Sequence, residues 1–487
     1  MHRPTRVTAS GWGWRYAGRR AAAVTDVTFT IEPGERVLLL GASGAGKSTL
    51  LAGLAGLLGG ADEGETTGEI RLDGQAPDAC RGQVGLVLQD PDAGVVLSTV
   101  GDDVAFGCEN LGVPPSEIPS RVAAALDAVG LDVPRDRPTK HLSGGQKQRL
   151  AIAGILAMQP GLLLLDEPTA NLDPAGVGEV RRAVERAVAG RGATLIVIEH
   201  RTDVWVDLMD RVIVLDAEGG LLADGPPAEV FTSHGVALAA AGVWVPGRAI
   251  DLPALPRGGG GSDVLRARGL AVSRDGRNAV QTRLGLAVPS GAATVITGVN
   301  GSGKSTLALT LAGLLPELRG VVEAAPALAG RKGRRPAKWT SRELLSRIGV
   351  VFQDPEHQFL AKTVRDELAV GPRAAGFDLA RMAIVDELLE RLHLAPLARA
   401  NPFTLSGGQK RRLSVGTALA TAPPVLVLDE PTFGQDRRGW IELVQLLQEQ
   451  IAGGGTVIAV THDADVESHL GGHRIELSLP HAGEVAA

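Results

Sequence analysis

The chain has 487 residues, 44% of them apolar and 21% charged, with a formal net charge of −6. That balance suits a soluble globular protein and excludes a surface whose main task is to hold nucleic acid. Only Cys80 and Cys108 occur, without a CxxC pair, which excludes a zinc or disulfide framework and points to buried free thiols in a reducing compartment.

The first elements announce an α/β domain. Residues 24–31 (VTDVTFTI) alternate as a half-buried strand does, and residues 36–40 form an apolar run leading into Gly41. A glycine-rich loop, Gly41-Ala42-Ser43-Gly44-Ala45-Gly46-Lys47-Ser48, follows, and a helix is predicted from near Lys47. Further buried strands are predicted at 84–88, before Gln89, and at 162–165, ending on Asp166. Another at 193–198 ends beside Glu199 and His200. Alternating buried strands and helices predict a largely parallel sheet.

The whole series then returns. Gly298-Val299-Asn300-Gly301-Ser302-Gly303-Lys304-Ser305 repeats the loop, Leu405-Ser406-Gly407-Gly408-Gln409 repeats Leu142-Ser143-Gly144-Gly145-Gln146, and Asp429-Glu430-Pro431-Thr432 repeats Asp166-Glu167-Pro168-Thr169. Gln353 and His462 repeat Gln89 and His200. Length alone suggests about three domains, but a repeat of this size is a duplicated domain, not a solenoid. The expected division is residues 1–245, a flexible Pro/Gly-rich linker at 246–262, a second domain at 263–480 and a frayed tail at 481–487. An extra basic segment at 331–338 reads as a solvated loop or as a contact for anionic lipid headgroups. No apolar run approaches the length that spans a bilayer, and residues 235–245 are too short; a spanning part would have to come from another chain. The N-terminus lacks the apolar core of a signal peptide.

These residue types carry phosphate chemistry. Loop glycines let successive backbone N–H groups turn toward phosphate oxygens, the lysine reaches the terminal phosphates and the hydroxyl ligates Mg²⁺. Lys47 and Lys304 are therefore phosphate ligands, and Ser48 and Ser305 metal ligands. Asp166 and Asp429, at the carboxyl ends of apolar strands, suit the same metal. Glu167 and Glu430 are then placed to deprotonate an attacking water.

The ordered set of phosphate loop, glutamine, LSGGQ, DEPT and histidine resembles the ATPase subunits of ABC transporters over nearly the whole chain. The resemblance implies two tandem ABC-type P-loop domains, each with a helical subdomain carrying LSGGQ. It implies ATP and Mg²⁺ as ligands, with nucleotide contacts along Gly41, Ala42, Ser43, Gly44, Ala45, Gly46, Lys47, Ser48 and Thr49. The second loop would use Gly298, Val299, Asn300, Gly301, Ser302, Gly303, Lys304, Ser305 and Thr306. Head-to-tail closure would add Ser406, Gly407, Gly408 and Gln409 to the first site, and Ser143, Gly144, Gly145 and Gln146 to the second. Gln89 and Gln353 would join the metal, and His200 and His462 would contact the γ-phosphate. Tyr16 is placed to stack on adenine; in the second half only Arg274 is near, or nothing stacks.

A narrower resemblance, carried by residues 353–359 (QDPEHQF) and 100–107 (VGDDVAFG), is to the fused ATPases of energy-coupling-factor (ECF) importers. It implies a peripheral subunit at the cytoplasmic face of the membrane, partnered by a transmembrane coupling subunit and a substrate-binding membrane subunit, taking up a vitamin, metal ion or related micronutrient. Two departures stand out. Gly94 replaces the second glutamine found at Gln358, and Phe433-Gly434-Gln435-Asp436 replaces the pattern at Asn171-Leu172-Asp173. Rival readings are another ABC importer or exporter ATPase, and a soluble tandem ABC protein acting on ribosomes or DNA. The short glycine-rich linker and the scarcity of cysteine oppose the latter.

Overall fold

The computed structural model describes residues 3–42, 44–60, 62–90, 93–169, 172, 174–256, 261–331, 333–378 and 381–479. Ser43, Pro91, Asp92, Asn171, Asp173, Lys332, glycines 258–260 and the tail at 481–487 lie outside them. The chain divides into two compact units, residues 1–248 with 436–438 and residues 249–435 with 439–487.

In the first unit the sheet runs Val84–Val87, Leu162–Asp166, Thr194–Ile198, Arg36–Gly41, Arg211–Leu215, Leu221–Gly225. The first five strands are parallel and the last is antiparallel. Side chains along these strands alternate between two cores. Leu38, Leu40, Leu163, Leu165, Leu195 and Val197 enter one, and Val37, Leu39, Leu162, Leu164, Ile196 and Ile198 the other. Burial on both faces is why the strands read as continuous apolar runs. Each such side chain contributes about 1.5–3 kcal/mol of burial energy before entropy is subtracted. The second unit repeats the design with five parallel strands, Ile348–Val351, Val425–Asp429, Thr456–Val460, Ala293–Gly298 and His473–Leu477.

The helical layer of the first unit comprises Val100–Asn110, Ile118–Ala128 and Gly144–Met158. Its apolar faces share the core that holds Cys108. Cys80 lies in the other core, and both thiols are free and buried, as composition suggests. The second unit carries Val364–Ala375, Ile384–Arg391 and Gly407–Leu419 in the same order.

Each unit also holds a three-stranded antiparallel sheet absent from the sequence expectation. Val24–Ile31 pairs with Val7–Tyr16, which pairs with Gly64–Leu72. Asp263–Ser273 stands likewise between Ala279–Pro289 and Arg319–Ala324. The alternation at 24–31 was visible, but its partners lie far along the chain. This sheet presses on the helix after the phosphate loop: a Cβ at Gly53 would come within 2.7 Å of the Trp12 ring.

The expected flexible linker needs correction at one point. The Leu255 N–H donates to the His469 carbonyl at 2.9 Å, and Gln448 Nε2 donates to the Pro253 carbonyl at 2.8 Å. Those bonds fasten residues 253–255 to the second unit. Within the basic segment, Arg335 pairs with Glu317 at 3.1 Å and Arg334 donates to the Ala324 carbonyl at 2.9 Å. Both cations are engaged locally, as in a structural loop.

The antiparallel sheets depend on two glycines. Gly68 has φ +59° and a Cβ there would lie 2.2 Å from the Gly11 carbonyl oxygen; Gly320 has φ +76° and would meet the Gly269 oxygen at 2.3 Å. Left-handed backbone and contact with a carbonyl both penalise a side chain. Gly68→Ala should cost more than about 1 kcal/mol, seen as a lower chemical-denaturation midpoint. An unchanged midpoint would contradict this packing.

Candidate active site at the ends of the parallel strands

Each phosphate loop links the strand at Arg36–Gly41 or Ala293–Gly298 to a helix, Lys47–Leu54 or Lys304–Leu311. Gly46 caps the first helix with φ 86°, and a Cβ there would stand 2.1 Å from the Ala23 carbonyl oxygen. Only glycine closes that turn. Neither helix has a side-chain cap, so its first N–H groups are left for an anion. The buried Lys47 ammonium donates to the Gly41 and Ala42 carbonyls at 2.8 and 2.9 Å. Lys304 does the same to Gly298 and Val299 at 2.7 and 3.1 Å. Burial lowers the Lys47 pKa, against the raising effect of Glu167 and Asp166.

The proposed metal ligands meet. Asp166 accepts a hydrogen bond from the Ser48 hydroxyl, and Asp429 from Ser305. Burial raises the Asp166 carboxyl to about 6 and also raises Asp429. A hydroxyl and a carboxylate are hard oxygen donors that fit Mg²⁺ when phosphate oxygens and water complete the shell. Among the described residues no cluster of three or more His, Cys, Asp or Glu is able to hold a metal unaided.

Beyond each aspartate the backbone turns sharply. Glu167 and Glu430 adopt φ 48° and 50°, and their N–H groups donate to the Ile198 and Val460 carbonyls, both at 2.9 Å. Left-handed backbone at a non-glycine costs on the order of 1–3 kcal/mol, offset here by the adjacent strand end. The turn brings each glutamate to the histidine that follows that strand.

The two glutamates then differ. Glu167 Oε1 lies 3.0 Å from His200 Nε2, and Gln89 Nε2 donates to Glu167 Oε2 at 2.7 Å. Burial raises the Glu167 carboxyl, but the His200 charge and hydrogen bond, Lys47 and Gln89 outweigh it and leave the carboxyl below its ordinary value. In the second unit His462 Nε2 is 3.9 Å from Glu430 and 3.3 Å from Asn300 Oδ1. The Thr461 hydroxyl, not an imidazole, donates to Glu430 at 3.2 Å. Burial, then the charge of Asp429, raises Glu430 to about 7. Gln353 makes no counterpart of the Gln89 bond among the described residues; its carbonyl accepts from Arg411 at 2.5 Å.

The signature segments sit at helix starts. Ser143 Oγ accepts from the Gln146 N–H at 3.3 Å while Gln146 Oε1 accepts from the Ser143 N–H at 3.0 Å, a capping box repeated by Ser406 and Gln409. Each of these side chains thus bonds the backbone N–H of the other residue in its pair. A Cβ on Gly144 would meet nothing within 4 Å, so that first turn lies open. Tyr16 keeps an exposed ring beside the first loop, its hydroxyl 3.2 Å from Thr49 Oγ1. Arg274 is exposed, and its charge acts on Asp429.

Sequence reasoning missed Glu199, Asp463 and Arg411. Arg411 is buried, donates to the Phe352 carbonyl at 2.8 Å and to Gln353, and burial lowers its pKa to about 10. Its counterpart in the repeat is Gln148; that mismatch was the available signal.

Comparison with known proteins accords with this geometry. The sequence pattern of the family described as "ABC transporter" matches residues 24–170 and 282–433. The putative HMP/thiamine import ATP-binding protein YkoD of Bacillus subtilis is 36% identical over 91% of this chain and 84% of that protein. A putative ABC transporter ATP-binding protein of Streptomyces avermitilis is 34% identical over 97% of this chain and 91% of its own length. Among solved structures, cbiO1 of Clostridium perfringens, described as part of the ABC transporter complex cbiONQ, is 35% identical over 47% of this chain and 92% of that one, with a TM-score of 0.43. With both phosphate loops, both strand-end acid pairs and both halves matched, the chain belongs to the ABC transporter family and carries two of its ATP-binding domains.

Proposed function

We propose that this chain is the ATP-hydrolysing, energy-coupling subunit of an ECF-type importer of a vitamin, metal ion or related micronutrient. It would work at the cytoplasmic face of the membrane beside a transmembrane coupling subunit and a substrate-binding membrane subunit. The observation that carries the reading is the assembly, in each half, of phosphate loop, strand-end aspartate, glutamate and histidine within reach of one another. The import function in the name of the Bacillus relative supports the transport role, as do the motifs at 353–359 and 100–107. Among the described residues no helix is long and apolar enough to cross a membrane, which fits a chain that relies on membrane partners.

The chemistry follows from the residues. Loop N–H groups and Lys47 or Lys304 bind the β- and γ-phosphates of ATP, displacing the loop carbonyls that now hold each ammonium. Ser48 with Asp166, and Ser305 with Asp429, would hold Mg²⁺, with Gln89 and Gln353 as further ligands; the ion supplies neutralisation of phosphate charge. Glu167 and Glu430 take the proton from a water aligned on the γ-phosphate, and His200 and His462 bond that phosphate's oxygens. Tyr16 stacks on adenine in the first site. Head-to-tail closure of the halves, the family arrangement, would bring the open first turn at Gly144 or Gly407 to the γ-phosphate of the other half and exclude water.

A groove of about 350 Å³ beside Gln89 supports docking of a membrane partner. Its lining includes Leu88, Val96, Phe106, Leu111 and Met158. In the second half Gln358 fills the matching position, its amide donating to the Ser414 carbonyl at 3.0 Å and to Thr417 Oγ1 at 2.7 Å. Gly94, Ala151 and Gly154 stand at those places in the first half, so three polar residues are exchanged together for three small ones.

Glu167→Gln combined with Glu430→Gln should lower ATP turnover by about 10²–10⁴-fold while ATP still binds, measured by phosphate release and by nucleotide retention. Turnover at the native rate would reject the glutamates as bases. For Glu430 the sign of the pH effect is fixed: protonated below about 7, it is no base there. Turnover of the Glu167→Gln chain should therefore climb as pH rises through that value, and a flat profile would contradict the assignment. Ser143→Arg should impair nucleotide held by Lys304 more than that held by Lys47; site-resolved crosslinking with the opposite bias would reject the head-to-tail arrangement.

A further inference from the structure

The residues flanking the two histidines are not copies. The first half reads Glu199-His200-Arg201 and the second Thr461-His462-Asp463. Both strands end one residue earlier, at Ile198 and Val460, so a carboxylate stands before the histidine in one half and after it in the other. In both halves that carboxylate holds the threonine of DEPT.

Its position changes what is left for the glutamate. Glu199 is 5% exposed. Its Oε2 accepts from the Thr169 N–H at 3.3 Å and from the Thr169 hydroxyl, and its Oε1 accepts from the His200 N–H at 2.9 Å. Glu199 is thus spent on DEPT and on the backbone of His200, with no donor to offer Glu167. Asp463 takes the Thr432 hydroxyl at 3.3 Å and Trp440 Nε1 at 2.7 Å. That leaves Thr461, whose hydroxyl accepts from the Asp463 N–H at 3.0 Å and donates to Glu430.

We propose that Glu199 is a positioning residue that stations His200 against Glu167, so that the first site rests with a closed glutamate–histidine pair while the second rests open. In the first site His200 must leave the Glu167 carboxylate, 3.0 Å away, before it bonds the γ-phosphate; in the second His462 already stands 3.9 Å from Glu430. The second site is therefore the faster of the two. This rests on the reading of Glu167 and Glu430 as the bases of ATP hydrolysis.

Electrostatics agree with the geometry. The ionisable groups acting on the pair are Lys47, Asp166 and Glu199; those around Glu430 are Asp429, Lys304, Arg411 and His462. Burial lowers the His200 pKa, but the charge and hydrogen bond of Glu167, with Glu199 in support, leave it above the ordinary imidazole value. A buried second carboxylate favours the cationic ring.

The test is side-chain ¹⁵N NMR of the histidines in the intact chain, with His200 assigned from a His200→Gln control. His200 should stay protonated above the ordinary range. Glu199→Gln, which preserves shape but removes the charge and leaves one oxygen for the two backbone N–H groups that Glu199 now accepts on separate oxygens, should move that titration to lower pH. A His200 that titrates as an ordinary imidazole, or is unmoved by Glu199→Gln, would overturn the positioning role without touching the hydrolysis reading. The rate arm compares single variants: Glu430→Gln should retain at least fivefold less turnover than Glu167→Gln. Equal losses, or abolition by both, would overturn the difference between sites. Undiminished turnover in the double glutamine variant would instead overturn the underlying reading.

Discussion

The hydrogen bond from Glu167 N–H to the Ile198 carbonyl, and its repeat from Glu430 to Val460, is the constraint on which the site depends. It exists because two neighbouring parallel strands end at the same level: Asp166 pairs with Ile198, and Asp429 with Val460. The bond holds the glutamate in a left-handed turn just past its strand. It also turns the glutamate toward the histidine, which stands two residues past the end of the other strand in both halves. Aspartate, glutamate and histidine are thereby placed by the rigid sheet, with the phosphate loop leaving the next strand over. Burial of that sheet on both faces supplies the rigidity and, in the same stroke, the desolvation that raises Asp166 and Glu430.

Duplication gave both halves this frame, and side-chain exchanges then diversified it. Moving one carboxylate across the histidine changes the partner of the glutamate from an imidazole to a hydroxyl. Replacing Gln358, Ser414 and Thr417 by Gly94, Ala151 and Gly154 opens a groove in one half that the other half fills with its own side chain. Arg411 braces the segment at Gln353, whereas Gln148 stands at that place in the first half. None of these exchanges touches the phosphate loops. The phosphate loops are common to both halves, and the differences lie in what bonds the glutamate past each strand and in the groove beside Gln89.

Much of this was legible in the sequence because the motifs are local. The phosphate loop, LSGGQ and DEPT each lie within a few residues, and apolar runs bounded by glycine or by acid mark buried strands. What was missed is long-range. The antiparallel sheets join strands some fifty residues apart at Val7–Tyr16 and Gly64–Leu72, and no local pattern names the partner. Glu199 was passed over as the neighbour of a histidine, because its role depends on Thr169, thirty residues upstream. The serine and glutamine of LSGGQ were taken as ligand contacts, yet both also close a capping box. The linker at 246–262 looked free by composition, although Pro253 and Leu255 find partners at Gln448 and His469. Composition reports what a segment tolerates, not what it touches.

The central claim is that one chain holds two complete nucleotide sites. Its most direct measurement is the stoichiometry of ATP retained by the full chain carrying Glu167→Gln and Glu430→Gln, quantified by chromatography of the released nucleotide. Two ATP per chain is the expected result; one or none would contradict it.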